Sequence, residues 1–165
     1  MRVLQIAGFS GSGKTRLIER LIPLLPVAAC IKWTHHHLPE DNPGSDTARF
    51  GQLGVPQVLA APDGILIRPT PQSRATLYEW LANTLADDQL VVVEGNKWHP
   101  APKIWMGKDL PEDINPILVI GPQPPHQAEW YQTHTPATDS ELDAAAEFLQ
   151  KNWHRLTYSV SRSCP

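Results

Sequence analysis

Gly8-Phe9-Ser10-Gly11-Ser12-Gly13-Lys14-Thr15 is the stretch whose reading decides the fold. It matches the phosphate-binding pattern G-x-x-x-x-G-K-[ST]. The apolar run Val3 to Ala7 precedes it, and Leu17, Ile18, Leu21 and Ile22 follow at helical spacing. Strand, glycine-rich loop and helix in that order are the context the motif demands. The backbone N–H groups of such a loop and the N-terminus of its helix face an anionic phosphate together. Gly8, Phe9, Ser10, Gly11, Ser12 and Gly13 supply backbone that can approach the ligand closely, as glycine allows. Lys14 is expected to neutralise the terminal phosphates, and the Thr15 hydroxyl to complete the oxygen shell of a magnesium ion. An ordinary glycine-rich turn is the plainer alternative, and the agreement of all eight positions with both flanks weighs against it.

Working outward, Val3 to Ala7 predicts a strand, 14–25 a helix stopped by Pro23 and Pro26, and Val27 to Ile31 a second strand. Two apolar strands joined by a crossover helix begin a parallel sheet, whose ligands gather at the carboxyl ends of its strands. Lys32 is therefore expected near the loop. The second landmark is Leu90-Val91-Val92-Val93-Glu94-Gly95-Asn96-Lys97, an apolar strand ending in a carboxylate. Such an arrangement resembles a Walker B strand, and Glu94 is a candidate for the magnesium shell opposite Thr15. Asn96-Lys97-Trp98-His99 imitates the guanine-reading N-K-x-D, but His99 stands where the Asp is required, so that reading fails.

The rest of the chain fits one α/β domain over residues 1–158, a P-loop NTPase-like three-layer fold with a mainly parallel sheet and an added antiparallel hairpin. Residues 159–165 read as a loose tail. Gln57 to Ala60 and Gly64 to Ile67 flank the turn Ala61-Pro62-Asp63-Gly64 and form the expected hairpin. Ser73 is expected to cap a helix burying Leu77, Trp80, Leu81 and Leu85. Short strands follow at Lys103 to Met106 and Ile117 to Ile120, then a proline-rich turn over Gly121 to Pro125. The final helix starts near Asp139, capped by Thr138 or Asp139, with Leu142, Ala145, Ala146, Leu149 and Trp153 as its buried stripe.

With 165 residues and 41% hydrophobic content the chain can bury one sizeable core. It has 14 basic and 17 acidic residues, a formal charge of −3, and no basic stripe along any expected element, so nucleic acid is not an expected partner. No run approaches the length of a membrane span and no signal-peptide anatomy precedes Val3, so a cytoplasmic protein is expected. Cys30 lies within an apolar run, where a buried thiol is the common case, and with Cys164 makes neither a disulfide framework nor a zinc site. His35-His36-His37 invites a metal reading, but three consecutive side chains diverge and no second ligand pair is spaced for them. A solvated loop and a loop closing over nucleotide or partner remain open. Asp46 opens a short helical stretch and reads as an N-cap, a role compatible with a place in a magnesium shell.

Taken together, Ile6 to Thr15, Ile31-Lys32-Trp33-Thr34-His35-His36, Pro43-Gly44-Ser45-Asp46-Thr47, Gly54-Val55, and Val93-Glu94-Gly95-Asn96-Lys97 with Lys103-Ile104 resemble the molybdopterin-guanine dinucleotide biosynthesis adaptor family, the MobB proteins. The segments run in order across residues 1 to 106. Trp33 and Asn96 depart from the family, which often has histidine after Lys32 and an aromatic before Lys97. The resemblance implies a homodimeric protein that binds GTP with magnesium, hydrolyses it slowly, and assists the guanylyltransferase that attaches GMP to molybdopterin. It also implies that Gly11 to Thr15 hold phosphates, that Asp46 and Glu94 serve the metal shell, and that Lys97 and Lys103 contact the anion or a partner. The other readings are a P-loop small-molecule kinase and a His-loop metallochaperone GTPase. Fast phosphoryl transfer needs a lid and several gathered arginines, whereas the arginines here are dispersed. Trp33, Trp98 and Trp105 lie in or beside the segments expected at the nucleotide face, where aromatics suit a surface covered by another protein.

Overall fold

The computed structural model describes residues 1–33, Arg49, 57–68 and 74–160. Its central strand is β1 (Arg2–Ala7), which leads into α1 (Lys14–Leu21) and β2 (Val27–Lys32). Next come β3 (Gln57–Ala61), β4 (Gly64–Arg68), α2 (Arg74–Thr84), β5 (Leu90–Glu94), β6 (Ile104–Met106), β7 (Leu118–Gly121), β8 (Glu129–Gln132), α3 (Asp139–Leu156) and β9 (Tyr158–Ser159). The chain forms two compact units, Met1–Thr34 with Leu81–Pro165, and His35–Trp80.

Among the described residues the first unit holds a seven-stranded sheet in the order β2-β5-β1-β6-β7-β8, with β9 added to β1. β1 pairs parallel with β5 from Arg2↔Leu90 to Ile6↔Glu94, which brings the start of the glycine loop beside the end of β5. On its other edge β1 is shared: Ile6 and Ala7 pair parallel with β6, and Arg2 and Val3 pair antiparallel with β9. β5 is buried from Leu90 to Val93 because both faces of a central parallel strand are covered, which is why its sequence is continuously apolar. Leu17, Ile18 and Leu21 of α1 share one core with Leu142, Ala145, Ala146, Leu149 and Trp153 of α3 and with Leu4, Ile6 and Val92 of the sheet. The opposite face carries Ala7, Trp105, Ile114 and Val119. The second unit contains the β3–β4 hairpin, antiparallel from Gln57↔Arg68 to Ala61↔Gly64.

Several expectations are corrected. α1 ends at Leu21 rather than at 25, because Pro23 can neither donate an N–H nor fit its ring against the preceding turn; Leu24 and Leu25 close onto the Leu21 carbonyl as turns. Cys30 is exposed, since the outward residues of β2 at the sheet edge alternate with half-buried ones. Trp80 is half exposed, so the α2 stripe ends in Leu81 and Ala82, both buried. The stretch after Pro125 contains β8, whose half-buried pattern lacks an apolar run, and Ser159, the first residue of the expected tail, pairs with β1 beside Tyr158. At α3 the cap is Thr138: its hydroxyl accepts from the Glu141 N–H at 3.3 Å while Glu141 Oε2 accepts from the Thr138 N–H at 2.8 Å, a capping box. Ser73 lies outside the described residues.

Candidate functional site

The glycine loop leaves β1 and turns sharply at Gly8, whose φ is +149°. A Cβ there would stand 2.2 Å from the Met106 carbonyl oxygen, so the first position of the motif is dictated by the close approach of β6. Gly13 caps α1 without any side-chain hydrogen bond, and the first turn contains no acidic residue. The leading N–H groups of α1 therefore keep the positive end of the helix directed at the loop, an arrangement suited to an anion.

Lys14 folds back over this loop. Its ammonium donates to the Phe9 carbonyl at 2.6 Å and to Ser12 Oγ at 3.3 Å. Partial burial pushes its pKa down; Glu94 opposes that shift, and the ammoniums of Lys32 and Lys97 add to it. The Thr15 hydroxyl donates to Glu94, 3.1 Å from Oε1 and 3.0 Å from Oε2. Lys32 Nζ stands 3.6 Å from Glu94 Oε1. The Lys14 ammonium thus feels the Glu94 carboxylate together with the ammoniums of Lys32 and Lys97, and the excess positive charge suits a polyanion such as a nucleoside triphosphate. Thr15, at the start of α1, and Glu94, at the end of β5, are both oxygen donors, and a hydroxyl with a carboxylate is the donor set that magnesium takes while keeping most of its waters. The residues fit the ion.

Lys97 lies at the rim of the loop, with Nζ 4.5 Å from the centre of the Phe9 ring and 5.8 Å from that of Trp98. Both rings are open to solvent, Phe9 at 40% and Trp98 at 60% exposure. Phe9 in turn meets Trp105 edge-on at 5.5 Å. Trp105 itself is fully buried, so it supports the loop from within and is not part of a surface for another protein. Lys103 is also 4% exposed, and its ammonium donates to the His99 carbonyl, bracing the 99–103 turn. Asp46 and His35, His36 and His37 lie outside the described residues. Among the described residues no three His, Cys, Asp or Glu side chains are placed to hold a metal ion.

The structure adds positions that the sequence reading passed over. Gly107, Lys108 and Asp109, just beyond β6, and Thr135, beyond β8, line a cavity of about 120 Å³ together with Phe9, Ser10, Gly11 and Ser12. The rule that ligands gather at the carboxyl ends of parallel strands could have pointed to them. Gln5, the polar residue within the apolar run Val3 to Ala7, is another such position.

Residues 3–117 match the family model described as molybdopterin guanine dinucleotide synthesis protein B. The chain is 35% identical over 164 residues to a molybdopterin-guanine dinucleotide biosynthesis adapter protein of Haemophilus influenzae, covering 92% of this chain and 88% of that protein. Against the Escherichia coli protein of the same description, identity is 32% over 115 residues, covering 65% of this chain and 66% of the relative. In structure it is similar to a MobB homologue from Bacillus stearothermophilus, with a TM-score of 0.61 at 20% identity over 93% of this chain and 98% of the other. Bacillus subtilis MobB gives a TM-score of 0.56 at 22% identity, covering 89% and 97%. These structural likenesses establish an α/β fold of the P-loop NTPase type with a mainly parallel sheet.

Proposed function

The chain belongs to the MobB family, and on that premise we propose that it is a GTP-binding adaptor for the attachment of GMP to molybdopterin, the step that completes the dinucleotide form of the molybdenum cofactor. The observation that carries this reading is the convergence of Lys14, Thr15 and Glu94 at the mouth of an uncapped helix. In the proposal Gly8 to Thr15 hold the phosphates, Lys97 adds charge at the rim, and Thr15 with Glu94 serves the magnesium shell, joined by Asp46. Magnesium, when bound, offsets the charge of the outer phosphates. Hydrolysis is slow, well below the roughly 1 to 100 turnovers per second of kinases. The protein acts in the cytoplasm as a homodimer, with the guanylyltransferase as partner, and the exposed Phe9 and Trp98 rings suit a surface that a partner covers.

Titration calorimetry with GTP and ATP in competition, followed by addition of the chain to a molybdopterin guanylyltransferase reaction, tests the proposal. GTP preference and faster dinucleotide formation are expected. Acceptor-dependent release of ADP or GDP at kinase rates would instead favour the small-molecule kinase, and nucleotide-independent stimulation would separate the adaptor role from the loop.

A further inference from the structure

β1 carries one polar side chain inside its buried run, Gln5, at 1% exposure. Phosphate binding makes no use of it. Its Nε2 donates to the Gly95 carbonyl at 3.1 Å and to the Asn96 carbonyl at 2.9 Å, while its Oε1 is buried with no hydrogen-bond partner. An unmatched acceptor is a cost that valine or leucine would not incur at this position. The two donated bonds are what the residue offers in return.

Those bonds act on the turn that ends β5. Beyond Glu94 the backbone takes two successive left-handed conformations, Gly95 at φ +90° and Asn96 at φ +52°, and the second is uncommon for a residue with a side chain. Gly95 donates to the Ile6 carbonyl at 2.9 Å, and Trp33 donates to the Glu94 carbonyl at 2.9 Å, fixing the start of the turn. Gln5 fixes its continuation by keeping the next two carbonyls directed into the sheet. The residue that follows is Lys97, whose ammonium lies over the Phe9 ring of the glycine loop.

We propose that Gln5 is a positioning residue that clamps the Gly95–Asn96 turn and so places the Lys97 ammonium at the rim of the phosphate loop. Its consequence for affinity rests on reading that loop as a nucleotide site; the geometric part stands without it. Two measurements separate them: the upfield ring-current shift of the Lys97 ε-methylene protons by NMR, and magnesium–GTP affinity by calorimetry. Gln5→Leu is expected to melt cooperatively, to lose the ring-current shift, and to lose affinity about tenfold, as does Lys97→Met, the scale of one charge-assisted contact. The double variant should bind no more weakly than either single one, because both remove the same interaction. A Gln5→Leu protein that keeps the shift, or losses that add in the double variant, would overturn the proposal. If the parent binds no nucleotide, the functional reading fails and the shift alone decides the role of Gln5. Where Leu does not fold, Gln5→Asn, with a polar amide one methylene too short to span both carbonyls, is judged by the same two outcomes.

Discussion

The Thr15 hydroxyl reaches both oxygens of the Glu94 carboxylate, at 3.0 and 3.1 Å, so the start of α1 and the end of β5 are joined across the mouth of the glycine loop. The Ile6↔Glu94 pairing sets this distance. Glu94→Gln keeps a side-chain acceptor for Thr15 but removes the charge. We expect nucleotide affinity in magnesium to fall at least about tenfold, the scale of one lost charged contact, with little change in EDTA. Calorimetry under both conditions distinguishes this from a merely structural hydroxyl–carboxylate contact, which would produce equal losses.

Lys14→Ala should abolish nucleotide binding and leave the fold intact. Among the described residues the ammonium hydrogen-bonds within the loop, to Phe9 and Ser12, and it is partly desolvated, so the fold gains little from its charge. A thermal melt within a few degrees of the parent, beside a flat titration with GTP, is the expected pair of results. Unchanged binding would refute the reading of Gly8 to Thr15.

Acid should weaken the fold through the start of α3. Hydrogen bonds from the Thr138 and His134 backbone N–H groups hold the Glu141 pKa at about 2 against an ordinary 4.5. A carboxyl depressed in the folded state stabilises it above the ordinary value, and that contribution is lost as pH falls from about 4.5 toward 2. Asp139, held low by Arg16 and Arg20, and Glu129, held low by Arg155, act in the same direction. Melting temperature should fall across this window, and Glu141→Ala should show a shallower fall than the parent. A parallel pair of curves would exclude Glu141 as a contributor.

Gly8→Ala should be far more damaging than its single methyl suggests. The added Cβ meets backbone, the Met106 carbonyl at 2.2 Å, at a φ of +149°, and neither strand can retreat without breaking the β1–β6 pairing. A loss on the order of 3 kcal/mol is expected from strain of this kind, visible in urea unfolding as a lower midpoint at unchanged slope. Gly11→Ala, which meets nothing within 4 Å, is the control and should cost less despite its own positive φ.

The sequence by itself determined the glycine loop, the strands on either side of α1, the carboxylate at the end of β5 and the buried stripe of α3, because each is written as a local pattern. A phosphate loop needs fixed residue types at fixed spacing, and a central parallel strand needs an unbroken apolar run. Only the tertiary structure decided what those patterns do to their neighbours. Trp105 reads as a surface residue until β6 places it inside the sheet, and Cys30 reads as buried until β2 becomes the outer strand. Gln5 was invisible in its apolar run because its partners, the Gly95 and Asn96 carbonyls, stand about ninety residues away in the chain. β8 and β9 likewise have no strong period of their own; β7 and β1 supply the edges on which they form, and that long-range pairing, unlike a loop motif, leaves little mark on the local sequence.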